Sequence, residues 1–466
     1  MVSGVKQPTS LECTDTDHAS DCSCTRLALC KPPPSGKVVH QALLENALVE
    51  GESSRWYTLP GILSRSLLAD SIPGSMLYAA PLACYALWKG RQSNNSSLID
   101  ASHQLYIRGL VETQKALMTF ETARVDATLA ACNALGLYEV LECPERSVSA
   151  YKWHRDACCR LIKIRGPGAH QDGIAHELFT SIRLFGVSHR SVQFELRDAA
   201  DNNQVLESLE TAHPTFFSDP KWMSTPWKLH PKSSLDKLID ICTLGPEMLL
   251  KAKRLSSLPP AQTLPAALNI VQDLGRSVAT LEIIYADLYA SYPQPMYWER
   301  PLPEAEITSF AEVTCESGIV DHSRDPLIFP PALHFHDLDL ASTLSMYWSM
   351  SAIAWSGIAD LHNLFSRFNA TTIFASAFHA AGATAADLTP ETLQQQWTEE
   401  VRKILQSVTY CTSAAALRYG PPRIATALNV VIDVTKHKEV CASEHAWALR
   451  ARREIGTKWI SMLRYQ

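Results

Sequence analysis

Apolar residues recur at three- and four-residue spacing along most of this chain, and few segments alternate apolar and polar residues as a half-buried strand requires. Residues 41–50, 60–71 and 76–89 carry the helical period. Residues 99–120 read as one longer helix, with Tyr106, Leu110, Leu117 and Phe120 on a stripe. Residues 126–141 read as the next, with Leu129, Cys132, Gly136 and Val140 on its inner face. Cys143-Pro144 ends it, because a residue before proline avoids the helical region. Residues 148–164 form a third, closed by Arg165-Gly166-Pro167-Gly168, and residues 176–188 continue as helix.

The middle of the chain is interrupted by prolines, at 190–235, 255–265 and 291–333. Between these stretches, residues 266–289 give a clean amphipathic helix, with Leu268, Val271, Leu274, Val278, Leu281, Tyr285 and Leu288 in step. Residues 337–368 are long, apolar and aromatic, which predicts a buried helix. Segments 372–383, 388–410, 412–418, 423–435 and 441–464 complete the set. No internal repeat of fixed period is present. The predicted fold is all-α: one large multi-helix body over 41–466, preceded by a polar, disordered tail over 1–40 that runs into Lys31-Pro-Pro-Pro-Ser-Gly36.

Composition agrees. Hydrophobic residues make up 46% of 466, enough for a sizeable core. The charge balance, 42 basic against 48 acidic residues, gives −6. With no dense Lys/Arg run, direct DNA binding is not expected. Most of the thirteen cysteines are scattered through helix-like text, which predicts unbridged thiols in a reducing compartment. No secretory signal and no apolar stretch of membrane-spanning length is seen, so a soluble, non-secreted protein without membrane contact is expected.

Searches for catalytic motifs return little. Gly166-Pro167-Gly168 lacks the third glycine of a dinucleotide fingerprint, since position 171 is Gln. His176-Glu177 lacks the second histidine of a zinc-protease helix, since position 180 is Thr. Cys13, Cys22, Cys24 and Cys30, with His18, are spaced wrongly for a zinc module. No metal or cofactor is expected. His334, His336, Asp337 and Asp339 form the most site-like cluster, and His154 joins His334, His336 and Asp337 as a candidate catalytic group. Against a metal there, Asp337 and Asp339 stand where a helix begins and complement its positive end. Trp153, His154 and Arg165 are candidate ligand-binding residues; helix capping and packing is the competing role. Cys158 and Cys159 read as core or groove thiols.

The order Leu105-Tyr106, Leu110, Ala116-Leu117, Asp126 to Ala131, Leu135 to Glu139, Trp153-His154, Leu161 to Pro167, Phe179 and Arg183 resembles the regulatory, or middle-homology, domain of fungal zinc-cluster transcription factors. Leu333 to Trp348 and Glu444 to Trp459 resemble later segments of that family. The resemblance implies an all-helical fold, nuclear residence (cytoplasmic otherwise) and regulation of metabolic genes, often a biosynthetic cluster. It brings no catalytic residues. The family's Cys-x2-Cys-x6-Cys half-sites are absent here. Three functions follow as expectations. The first is a regulator without its own DNA reader, acting through a small-molecule metabolite or a DNA-binding protein partner. The second is a recruited cyclase- or isomerase-type enzyme on an apolar metabolite, drawing on His154, Arg165, His334, His336 and Asp337. The third is an interaction scaffold. The sequence carries no sign of an oligomeric state.

Overall fold

Helices α1 (Ala79–Gln92) and α2 (Ser96–Ala116) form an antiparallel hairpin. The turn uses Asn94 at φ 50°, and the Asn95 side chain accepts from Leu98 N at 3.3 Å to cap α2. The computed structural model describes residues 78–142, 148–192, 215–300, 332–366, 370–383, 387–413 and 420–465. The expected tail at 1–40 and the helices read at 41–50 and 60–71 lie outside the described residues, as does most of 412–418.

The face of α2 that packs differs from the one its apolar stripe indicates. Ser102, Leu105, Gly109 and Thr113 are buried, whereas Leu117 and Phe120 are exposed and the helix stops at Ala116. The reason is close approach of the two backbones. A Cβ on Gly109 would lie 2.9 Å from the Ala80 amide nitrogen, so small residues are selected along this seam. The Ser102 hydroxyl donates to the Ile99 carbonyl oxygen at 2.6 Å and lies 3.2 Å from the Tyr138 hydroxyl.

Helices α3 (Asp126–Glu142), α4 (Val148–Arg165) and α5 (Gly173–Val192) follow, near the predicted bounds. Gly166 ends α4 at φ +79°, a conformation that glycine adopts without strain. Helix α6 (Ser234–Arg254) opens with a capping box in which Ser233 and Asp236 exchange side-chain and backbone bonds. Helix α7 (Pro260–Ser291) starts on a proline, whose missing N–H costs nothing in the first turn.

A short antiparallel pair, β1 (Tyr297–Arg300) with β2 (Ala332–Phe335), was not legible in the sequence. Its register places Tyr297 opposite Phe335 and Trp298 opposite His334. Then come α8 (Leu338–Leu364), α9 (Ala370–Ala380), α10 (Pro390–Cys411), α11 (Gly420–Thr435) and α12 (Ala442–Tyr465). Among the described residues the fold is all-α apart from that pair, as the periodicity predicts.

Helix α8 is central: it packs on α6, α7, α10 and α11. Around it lies a large apolar core that includes Leu274, Leu281, Trp348, Phe374, Trp397 and Leu428. A smaller core joins α3, α4 and α5 to Phe217 and Trp222. Among the described residues no helix is long and apolar enough to cross a membrane, and the seven cysteines there are unbridged.

Candidate functional site

Helix α4 carries the predicted ligand-binding residues, but they do not meet. Trp153 and His154 are sequence neighbours, so their side chains leave the helix about 100° apart. Trp153 is 71% exposed. His154 lines a narrow cleft with Cys132, Asn133 and Gly136 of α3, Arg155 and Cys158 of α4, and Ile182 of α5. The cleft has room for about one water molecule. Burial lowers the His154 pKa, with the Glu139 carboxylate opposing, so the imidazole is neutral at neutral pH. Arg165 is buried at the far end of α4, where it pairs with Asp126 in the first turn of α3. Its Nε and Nη1 have no hydrogen-bond partner among the described residues. Arg165 therefore joins two helix ends, and the cleft that His154 reaches is too small for a metabolite.

The cluster at 334–339 is likewise taken up by the fold. The Asp337 carboxylate accepts from Leu340 N at 2.8 Å and caps α8. Asp339 pairs with Arg423 of α11 at 2.9 Å. His336 is exposed, with its Nε2 2.9 Å from the Pro295 carbonyl oxygen. His334 packs against Trp298 and Tyr410, with ring centroids 6.5 and 5.8 Å away. Among the described residues no three His, Cys, Asp or Glu side chains converge as a metal site. The N-terminal cysteines Cys13, Cys22, Cys24 and Cys30 lie outside those residues.

A polar group that the motif search missed sits inside the large core. Glu400 on α10 is 8% exposed. Its Oε1 accepts from the Ser351 hydroxyl at 3.2 Å, and Lys403 lies 3.5 Å from Oε2. Burial raises the Glu400 pKa, opposed by Lys403 and by the Ser351 bond. Tyr285 and Tyr347 pack beside it with their rings tilted by 39° and their centroids 5.1 Å apart. Burial pushes the Tyr285 phenol up to about 12, with Tyr297 adding to the rise. A sequence signal does exist: Glu400 interrupts the apolar stripe Leu393, Trp397, Val401, Ile404. A carboxylate on the buried face of a helix is costly unless partnered.

The smaller core is closed by a second missed group. Arg183 on α5 is fully buried and pairs with Asp240 of α6, which Lys232 also contacts. Arg183 and Lys232 both lie over Trp227, 5.7 and 5.6 Å from its ring centroid. His176 stacks on His230 at 4.6 Å, and His230 reaches Asp172 at 2.9 Å. His170 is fully buried between Phe179 and Trp222, its Nδ1 3.1 Å from the Ala175 carbonyl oxygen. Its Nε2 has no hydrogen-bond partner among the described residues. Burial therefore pushes its pKa down to about 4.

Comparison with known proteins adds little to this geometry. No family model matches the chain. No solved structure matches it. An uncharacterized protein of Emericella nidulans is 29% identical over 113 residues. That match covers 24% of this chain and 24% of the relative, so the chain spans about a quarter of the relative's length.

Proposed function

We propose that this chain is the helical body of a transcription-factor-like regulator of a metabolic or secondary-metabolite gene cluster, acting through a DNA-binding protein partner. The observation that carries the proposal is an outward apolar face on α2 and the turn after it. Ile107 and Val111, one helical turn apart, are 62% and 47% exposed, and Met118 and Phe120 beyond them are 74% and 63% exposed. Exposed apolar side chains grouped within one short segment suit a contact for another macromolecule. The net charge of −6 argues that this macromolecule is protein, with DNA reached indirectly.

Two further points support the reading. The residues that carry the likeness to fungal regulatory domains include buried packing positions: Leu105, Leu129, Leu135, Tyr138, Phe179 and Arg183. The relative with the partial match is also a fungal protein. The test is deletion of the gene in its native host, with neighbouring transcripts and metabolites read together. A fall in transcripts together with the end product is expected. Steady transcripts with one accumulating intermediate would sink the regulator reading.

A second reading, a cyclase- or isomerase-type enzyme, is favoured by one observation. Glu400 is a buried carboxyl with a raised pKa beside two tyrosines, a setting suited to proton transfer. Under this reading, Glu400→Gln in the host reproduces the accumulated intermediate while transcripts hold.

A further inference from the structure

Three sulfur atoms meet where α6 crosses α8. Cys242 Sγ lies 3.0 Å from Met350 Sδ and 3.8 Å from Met346 Sδ. Met346 and Met350 are four residues apart on α8, so they stack on one face a turn from each other. All three residues are half-buried, between α6 and α8. The chain has only nine methionines and thirteen cysteines in 466 residues, so two thioethers converging on one thiol is not a by-product of a sulfur-rich composition.

We propose that Cys242, Met346 and Met350 form a binding site for copper(I), a soft monovalent cation, held between α6 and α8. Thioethers are poor ligands for hard divalent ions, and a thiol with two thioethers selects a soft d10 cation. A metal–sulfur bond of about 2.3 Å puts three ligands of a trigonal site about 4 Å apart. The 3.8 Å separation already fits, and the 3.0 Å one must open by about 1 Å. Methionine has three rotatable bonds and makes that adjustment at little cost.

Burial pushes the Cys242 thiol up to about 12, so the ion meets a protonated sulfur. The Arg183 charge nearby favours the thiolate, and Asp240 opposes it. On binding, the S–H bond breaks, a Cu–S bond forms and the proton leaves to water. The two thioether sulfurs donate lone pairs, and neither copper nor sulfur changes oxidation state. The bound ion joins a helix that touches the smaller core to the central helix of the larger one.

The test is titration of the full chain with copper(I), kept reduced by ascorbate, in competition with bicinchoninate. M346L/M350L and C242S are titrated beside it. The double variant retains all thirteen cysteines and nearly conserves volume, so it isolates the thioethers from every other thiol. Wild type is expected to hold one more equivalent than either variant. Silver(I), which needs no reductant, is expected to raise the unfolding temperature of wild type more than that of M346L/M350L. Equal stoichiometry and equal affinity in wild type and M346L/M350L overturns the proposal. Should C242S fail to fold by circular dichroism, the double variant decides alone.

Discussion

The two cores of this protein are held by different means. Around α8, large apolar side chains such as Trp348, Phe374, Phe378 and Trp397 fill the interior and outweigh the polar groups buried there, such as Glu400, Glu444 and His362. Beneath α5 the apolar set is small, and the charged or titratable groups Arg165, His170, His176 and Arg183 are buried with it. A core built on area spreads its stability over many contacts. A core closed by buried ion pairs concentrates it in a few residues, since each such charge is costly without its partner. The smaller core should therefore fail at single points more readily than the larger one, and His170 should make it the more sensitive to acid.

The largest expected effects come from residues that fill or close each core. Trp348→Ala should destabilise by about 3–5 kcal/mol through cavity formation, measured by urea unfolding. Arg183→Ala should cost a comparable 3–5 kcal/mol, because Asp240 keeps only Lys232. Arg183→Met should restore only the packing part of that loss, since Asp240 is left with Lys232 alone in both variants, whereas Arg183→Met with Asp240→Leu should restore more of it. A cost under about 1 kcal/mol for Arg183→Ala would collapse the distinction between the cores.

Acid should separate the two regions next. The folded His170 pKa, about 4, lies below the ordinary value of 6.5. Below pH 6.5 the unfolded chain therefore binds the proton more readily. The contribution, on the order of 3 kcal/mol, is present above pH ~6.5 and lost as pH falls to ~4. Glu400 has the opposite sign. Its folded pKa is raised, so its contribution is present in acid and is lost as pH rises through the folded value. Hydrogen exchange at pH 5, corrected for intrinsic rates, should show residues 173–183 and 216–227 opening before 338–364. His170→Gln should flatten the acid limb, and Glu400→Gln the opposite one.

Smaller effects test the periphery. Asp337→Ala removes the α8 cap and should cost about 1 kcal/mol in thermal unfolding. Ile107→Ser with Val111→Ser should move stability by less than about 0.5 kcal/mol each while lowering the regulated transcripts. Unchanged transcripts in that variant would remove the outward face of α2 from the proposed function.

Much of this fold can be read from the sequence, for reasons visible at particular residues. Long amphipathic runs with clear stops, such as α3 and α4, fall close to their predicted limits because their periodicity and their ends agree, whereas α7 begins six residues before its predicted start, through the prolines read as an interruption. Helix α2 was read correctly as a helix and incorrectly as to its face. Of its apolar stripe, Tyr106 and Leu110 are only half-buried and Leu117 and Phe120 are exposed, because a backbone contact at Gly109 dictates small neighbours, and close approach leaves no mark in hydrophobic periodicity. The strand pair was missed because β1 and β2 are four residues each and lie far apart in sequence. The candidate sites fared unevenly for the same reason. Asp337 as a cap is a local relation and legible. The pairings of Arg165 with Asp126 and of Arg183 with Asp240 span 39 and 57 residues and are set only by packing.

Helix α8 works as a common rod for features that otherwise look unrelated. Within a few residues it presents Met346 and Met350 to Cys242, Trp348 to the large core and Ser351 to Glu400. With a rise of about 1.5 Å per residue, Met346 and Ser351 lie about 7.5 Å apart along its axis. Sliding the rod by a single residue's rise would disturb the sulfur contacts, the buried tryptophan and the hydroxyl bond to the carboxyl in one movement. An optical or spin label on this helix would register all three environments at once.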